Sequence, residues 1–147
     1  MNNQRRTVLK SGSGAALLGV LAAAGIITPG MALADWNKAA FDAKSMADTL
    51  KALGVSGTTD SKDVQVTGPD IAENGAVVPV GVASTLPNIS MVAILIEKNP
   101  NALAASFVLP EGTEANVQTR VKMGQTSNVY ALVKSDGKFF MATKEIK

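Results

Sequence analysis

The sequence contains no cysteine and no histidine among its 147 residues. Without cysteine the chain as given can form no disulfide and offers no thiolate nucleophile. Without histidine it lacks the side chain that most often acts as a general base or zinc ligand near neutral pH. A Ser-His-Asp triad is therefore excluded, and no sequence signature supports a Ser-Lys dyad. We expect a fold held together by apolar packing, with no catalytic residues, no cofactor and no metal site.

Long apolar runs are also missing. Residues 15–27 form a weakly apolar stretch of thirteen residues, and a transmembrane helix needs roughly 20. Arg5 and Arg6 precede this stretch, and the small-x-small pattern Ala32-Leu33-Ala34 follows it. This order is typical of an export signal that is cut off. We predict that residues 1–34 are removed before Asp35, which leaves no membrane anchor.

The paired arginines resemble a twin-arginine translocation signal, with Leu9 and Lys10 in their usual places. Gln4 and Val8 stand where that signal more often has Ser or Thr and Phe. An ordinary secretory signal is the alternative, and it predicts the same compartment. We expect a periplasmic protein.

Excess charge of one sign is absent once the leader is set aside. Three of the fourteen Lys and Arg residues lie in residues 1–34, which leaves eleven against twelve Asp and Glu. A near-neutral chain lacks the excess of positive charge with which proteins bind DNA or RNA. Residues 35–147 are 113 in number, enough for one domain with one apolar core.

The first part of this domain has the pattern of an amphipathic helix. Apolar residues recur at spacings of three and four between Asp35 and Leu53, and Gly54 follows as a stop. The spacing predicts one helix over 35–53, with its apolar face on another element.

Beyond about residue 63 the apolar residues alternate, which indicates strands. Asn74-Gly75 and Asp136-Gly137 predict hairpins, and Pro79 predicts a sheet edge or a bulge because proline cannot donate to a ladder. Residues 89–96 are apolar on both faces, as a central strand must be. About seven short strands in one domain predict an all-β, immunoglobulin-like sandwich preceded by one helix. A small barrel is the alternative.

Four sets of residues could carry chemistry, and each is better explained as structure. The acidic residues between 60 and 73 lack the order of a calcium loop, and the segment 54–57 lacks the Lys-Ser/Thr of a phosphate loop. The two basic residues lie on the solvent-exposed face of one strand, and the two aromatic residues have the helical spacing of core residues. The acidic residues are Asp60, Asp63, Asp70 and Glu73, the basic residues are Arg120 and Lys122, and the aromatic residues are Trp36 and Phe41.

Three stretches of this domain resemble the SoxY family of sulfur-carrier subunits in thiosulfate oxidation. They are residues 51–54 (Lys-Ala-Leu-Gly), residues 71–80 (Ile-Ala-Glu-Asn-Gly-Ala-Val-Val-Pro-Val), and the end of the chain from Asp136 to Lys147. The resemblance implies a periplasmic immunoglobulin-like domain that forms a heterodimer with a SoxZ-like subunit and meets other Sox enzymes transiently. It implies a carrier of covalently bound sulfur rather than an enzyme.

The sequence departs from this family at the residue that carries sulfur. The family's cysteine stands in a terminal Gly-Gly-Cys-Gly-Gly arm, which would lie beyond Lys147, so no residue of this chain inherits the role. Glycines would let such an arm enter narrow active sites. We expect that the sequence is a shortened form of a working carrier. The alternative is a cysteine-free structural or binding relative that keeps the partner interface.

Two strands are expected to need a partner's protection at the sheet edges. These are the strand of Pro79 and the strand that ends at Lys147, since unpaired edges invite pairing with another chain. A second sandwich, such as the SoxZ-like subunit, could cover them.

Overall fold

The computed structural model describes residues 36–147, so the predicted export signal over residues 1–34 and the cleavage point before Asp35 lie outside the described residues. Helices α1 (Lys38–Asp42) and α2 (Met46–Ala52) come first. Eight strands follow: β1 (Thr59–Asp60), β2 (Val64–Thr67), β3 (Val78–Ser84), β4 (Ile89–Ile96), β5 (Leu103–Val108), β6 (Ala115–Val121), β7 (Ser127–Ser135) and β8 (Lys138–Ile146). None of the helices within residues 36–147 has the length and apolar character needed to cross a bilayer.

The strands form two sheets that pack face to face. The larger sheet has the order β1-β8-β7-β4-β5, and the smaller has the order β2-β3-β6. All neighbours are antiparallel except β1 and β8, which are parallel. Alternate residues of both sheets, such as Val80 and Ile94, meet in one buried cluster. This arrangement is the predicted immunoglobulin-like sandwich, and it confirms the fold class.

Strand β4 is covered on both faces, which explains its continuous apolar sequence. Val92 and Ile94 face the smaller sheet, whereas Ala93 and Leu95 face a second apolar cluster formed with the helices. Both sets are fully buried. The predicted central strand is therefore confirmed as an interior strand, between β7 and β5, and the helices cover the outer face of the larger sheet.

The single helix predicted over 35–53 is wrong, because the segment forms two short helices. Ala43 is extended (φ −60°, ψ 135°), and Ser45 begins α2 by accepting a hydrogen bond from the backbone N–H of Asp48. Asn37 caps α1 in the same way through Ala40. Side chains that offer such local bonds compete with a continuous helix. The Asn37 amide also donates to the Ala52 carbonyl (2.7 Å), which ties the start of α1 to the end of α2.

The last hairpin turns at Asp136-Gly137 as predicted, and this turn sets the register of its two strands. Asp136 and Gly137 both have positive φ (48° and 75°), the conformation that a two-residue type I′ turn requires. Val133 lies opposite Phe140 and Leu132 lies opposite Met141. The first pair faces the core between the sheets, and Leu132 faces the cluster under the helices.

The hairpin predicted at Asn74-Gly75 has the expected antiparallel pairing of its two strands, but these two residues do not form a tight turn between them. Strands β2 and β3 are antiparallel neighbours, but their register starts at Thr67 opposite Gly81, so residues 68–77 form a long connection instead of a two-residue turn. The Asn74 side chain accepts from the N–H of Ala76, and this local Asx bond turns the chain before β3 begins.

The predicted edge position of the Pro79 strand is wrong, whereas that of the last strand holds only beyond Met141. Strand β3, which carries Pro79, is the middle strand of the smaller sheet, and β8 lies between β7 and β1, which pairs with it only at Phe140 and Met141. Pro79 is tolerated because β2 pairs only as far as Gly81, which leaves Pro79 paired with Arg120 of β6 alone. The edge strands of the described fold are β1 and β5 in one sheet and β2 and β6 in the other.

Candidate functional site

The acidic residues that the sequence brings together do not form a site. Asp63 contacts the Ser61 hydroxyl, whereas Asp70 pairs with Lys144 of β8 (2.9 Å). Asp60 lies in β1, and Glu73 is exposed in the connection before β3. Within residues 36–147 no group of three or more potential ligand side chains is arranged to hold a metal ion. These four carboxylates are therefore solvated groups rather than the ligands of a metal ion.

The other candidate residues also have structural roles. The 54–57 segment ends α2: the N–H of Gly54 donates to Lys51 and that of Val55 donates to Leu50, which is the Schellman arrangement. Arg120 and Lys122 are exposed, and Arg120 lines a shallow groove on the outer face of the smaller sheet. Phe41 packs under the helices as expected. Trp36 precedes α1 and is 61% exposed, so its expected place in the core is wrong.

Backbone and side-chain contacts hold the C-terminal end of β8 against the connection between β2 and β3. The N–H of Lys147 donates to the Asp70 carbonyl (3.0 Å), and the Lys147 carbonyl accepts from the N–H of Ala72 (2.7 Å). The two bonds place Lys147 beside the connection between β2 and β3 as if it were paired with a further strand. Ile146, the residue before, is fully buried in the core.

A side-chain pair reinforces this backbone pairing. The Lys144 ammonium group contacts the Asp70 carboxylate and also donates to the Gly68 carbonyl (2.8 Å). Lys144 is mostly buried, with 30% of its side chain exposed, while the side chain of Asp70 is 90% exposed. The hydrogen bond from Lys144, and then its positive charge, lower the pKa of Asp70 below its ordinary value.

The same end of the sandwich carries a small groove. It has a volume of about 170 Å³ and lies between the connection before β3 and the turn from β6 to β7; its lining includes Ala72, Gly75, Met123, Gln125 and Lys147. Gly75 accepts a hydrogen bond from the N–H of Met123 (2.7 Å). A Cβ atom at Gly75 would lie 2.6 Å from the Met123 carbonyl oxygen, so this close approach requires glycine. A segment that continued from Lys147 would leave the domain beside this groove.

A larger groove of about 780 Å³ lies at the opposite end of the sandwich, lined by the β3–β4 and β5–β6 loops. Glu111 and Glu114 are exposed at its rim. In the described part of the chain every buried side-chain nitrogen and oxygen has a hydrogen-bond partner. Neither groove therefore contains a buried side-chain nitrogen or oxygen without a hydrogen-bond partner.

Sequence reasoning missed the site at the end of β8 because its two charged residues are 74 positions apart. Its local sequence indicates a solvated loop charge at Asp70, and Lys144 belongs to a final stretch with no feature that points to Asp70. The Asn74-Gly75 turn signal did mark the segment, but no local pattern indicates that the segment folds against the last strand.

A family described as "Sulfur oxidation protein SoxY" matches residues 50–147 of this chain. The match covers all eight strands and the last three residues of α2. It includes the whole of the site at the end of β8. No curated protein sequence is similar enough to this chain to count as a match.

Two solved structures resemble the fold. The sulfur carrier protein SoxY from Chlorobium limicola f thiosulfatophilum has 32% sequence identity and a TM-score of 0.61, and the similarity covers 69% of this chain and 94% of that one. Superoxide reductase (neelaredoxin) from Ignicoccus hospitalis has 18% identity and a TM-score of 0.52, with 57% of this chain and 78% of that one covered. At that identity, the second likeness concerns the sandwich alone.

Proposed function

Because this chain belongs to the SoxY family of sulfur oxidation proteins, we propose that it is the scaffold of a periplasmic sulfur carrier whose cysteine lies in an arm beyond Lys147. The observation that supports this most is the match over residues 50–147, which extends to the last residue of β8 and its anchoring contacts. The domain itself holds and presents the arm, and the chemistry of sulfur transfer belongs to the enzymes that receive it.

The role of the domain follows from the place where β8 ends. Ile146 is buried while Lys147 is exposed at the tip of the sandwich. A glycine-rich segment attached there would move freely, since glycine reaches backbone conformations closed to other residues. Its thiolate would be accessible to the active sites of different enzymes, whereas a thiol in the packed core would be inert.

The covalent step places a limit on what the carrier does alone. Joining a cysteine thiol to thiosulfate forms one sulfur–sulfur bond and releases a proton and two electrons. The described residues contain no redox group, so an electron acceptor has to come from an oxidising Sox enzyme. A carrier that is not itself an enzyme fits this requirement.

The carrier proposal is tested by adding Gly-Gly-Cys-Gly-Gly after Lys147. Incubation with thiosulfate and the oxidising Sox enzymes should give a protein whose intact mass is higher by one thiosulfate group. The same chain ending in Gly-Gly-Ser-Gly-Gly is the matched control and should not change. If the cysteine form stays unmodified while the enzymes are active on another carrier, the proposal is wrong.

We further propose a heterodimer with a SoxZ-like subunit. The edges of the described fold offer unpaired strands, and β5 is the longest edge strand of the larger sheet; edges of this kind are commonly covered by a partner. Size-exclusion chromatography of the two chains together should give one complex peak with the sequence as it is given. Separate elution at micromolar concentration would contradict the partnership.

Periplasmic localisation rests on the sequence of residues 1–34. Fusing these residues to a folded fluorescent reporter should send it to the periplasm, because the twin-arginine route carries folded protein. Replacing Arg5 and Arg6 by lysine should leave the reporter in the cytoplasm. Unchanged export of the lysine form would favour the ordinary secretory signal instead.

The alternative function is that of a cysteine-free relative that keeps the scaffold and the partner interface. It is favoured by the absence of cysteine from the sequence. Reading the coding DNA beyond the Lys147 codon distinguishes the two. Codons for a glycine-rich cysteine arm would support the carrier, and a stop codon in an intact gene would support the binding relative.

A further inference from the structure

We propose that residues 68–72 act as a clamp that fixes the point at which the chain leaves the domain after Lys147, with Asp70 and Lys144 as its positioning residues. The C-terminal clamp, as we call it, consists of the two backbone bonds between Lys147 and residues 70 and 72 and of the Lys144 contacts with Asp70 and Gly68. Its use in setting the reach of a sulfur-carrying arm rests on the function proposed above.

The clamp provides backbone hydrogen bonds to Lys147 that no neighbouring strand provides. The β7–β8 register ends at Ser127 opposite Ile146, and β1 pairs with β8 only at Phe140 and Met141. Lys147 is therefore the first residue beyond the sheet. In the described chain its backbone is held by Asp70 on its N–H and by Ala72 on its carbonyl.

Lys144 connects the clamp to the strand itself. Its ammonium group bonds two residues of the connection, the carboxylate of Asp70 and the carbonyl of Gly68. A hydrogen bond between an ionised donor and an ionised acceptor is stronger than one between neutral groups. The side chain of Ile146 packs against the backbone of Gly68. A Cβ atom placed on Gly68 would lie 3.1 Å from the Ile146 Cδ1 atom.

The clamp decides how far an arm could reach. An extended chain spans at most about 3.3–3.6 Å per residue, so a cysteine three residues after Lys147 lies within roughly 10 Å of the clamp. If the clamp released Lys147 while Ile146 stayed paired with Ser127 of β7, the same cysteine would gain roughly another 3.5 Å of reach. A fixed starting point therefore shortens the reach and narrows the set of positions that the thiol samples.

The first experiment measures the clamp in the chain as given. Amide hydrogen exchange followed by NMR should show that the N–H groups of Lys147 and Ala72 are protected. Lys144→Met keeps the aliphatic length and removes the charge, and it should reduce this protection about two- to fivefold, as expected for one partly exposed ion pair. Asp70→Asn should act in the same direction.

Asp42→Asn is the matched control, because Asp42 also forms an ion pair, with Lys38 of α1, and neither residue takes part in the clamp. It should leave both amides unchanged. Protection at Val92 in β4 should be the same in all variants, which shows that the fold is intact. If Lys147 exchanges at the unprotected rate in the unaltered chain, or equally in the Lys144→Met variant, the clamp does not exist as proposed.

A second experiment measures where the arm points. Since the sequence has no cysteine, spin labels can be placed at Glu111→Cys and at the cysteine of an added Gly-Gly-Cys-Gly-Gly end. The distribution of distances between the labels should broaden in Lys144→Met and not in Asp42→Asn. Equal distributions would overturn the positioning role, whereas a failure of thiosulfate attachment in the unaltered extended chain would count against the carrier function only.

Discussion

Asp70 shows how a loop carboxylate takes its properties from a single neighbour. Its pKa lies below the ordinary value because Lys144 donates a hydrogen bond to the charged form and adds a positive charge beside it. A carboxylate with a lower pKa in the folded state stabilises the fold above the unfolded pKa. This contribution is lost as the pH falls through the folded pKa.

We therefore expect acid to loosen the C-terminal clamp before the sandwich unfolds. In a carboxyl-detected NMR titration, the pKa of Asp70 should rise toward its ordinary value in the Lys144→Met variant. The pKa of Asp70 in Asp42→Asn should stay as in the unaltered chain. Identical Asp70 titration curves with and without the Lys144 charge would show that the contact does not persist in solution.

Ile94 lies at the centre of the core between the sheets and is completely buried. Ile94→Ala should lower the free energy of unfolding by about 2–5 kcal/mol, since it removes buried methyl groups and leaves a cavity. Urea unfolding measures the change. Val108→Ala is the control, because Val108 is 82% exposed, and it should change stability by less than about 0.5 kcal/mol. Equal effects of the two substitutions would contradict the assigned core.

At the scale of elements, Ser45 separates α1 from α2. Its hydroxyl oxygen accepts from the N–H of Asp48 (3.1 Å) and so satisfies one of the unpaired donors at the start of α2. Ser45→Ala should lower the unfolding free energy by about 0.5–2 kcal/mol in urea titrations. Ser90→Ala, which removes only a 3.5 Å contact to the Lys134 carbonyl, should have little effect. A Ser45→Ala variant as stable as the parent would mean that the cap is not needed.

Elements whose signals are local could be predicted from the sequence. The Asp136-Gly137 turn fixes the register of β7 and β8 by itself, and the apolar run of β4 reports that both faces are covered. The alternation of β6 likewise indicates one buried and one exposed face. In these cases a few adjacent residues contain all the information that the structure needs.

Elements that depend on distant partners could not be predicted. Asn74-Gly75 has the sequence of a tight hairpin, but residues 68–77 instead fold against Lys147 and Met123, far along the chain. The position of Pro79 depends on where β2 stops, which no feature near Pro79 records. The C-terminal clamp was missed for the same reason, because its contacts join residues about 75 positions apart.

On the scale of the whole molecule, residues 37–147 form a compact unit with its own core. We expect the chain without residues 1–34 to unfold in one cooperative transition, as small single domains do. Thermal unfolding followed by the backbone NMR signals of Ala40 in α1 and of Val92 in β4 should give coincident curves. Two separate transitions would show that the helices and the sandwich unfold independently.

The C-terminal clamp and the wide groove between Pro87 and Glu114 lie at opposite ends of the strands. Strand β8 alone has nine residues, which puts these ends roughly 30 Å apart. Because the sequence has no cysteine, the Glu111→Cys variant can be attached to a sensor surface through that single thiol. This orientation leaves the C-terminal clamp facing the solution, where the binding of the proposed Sox partners can be measured in turn on the same captured molecules.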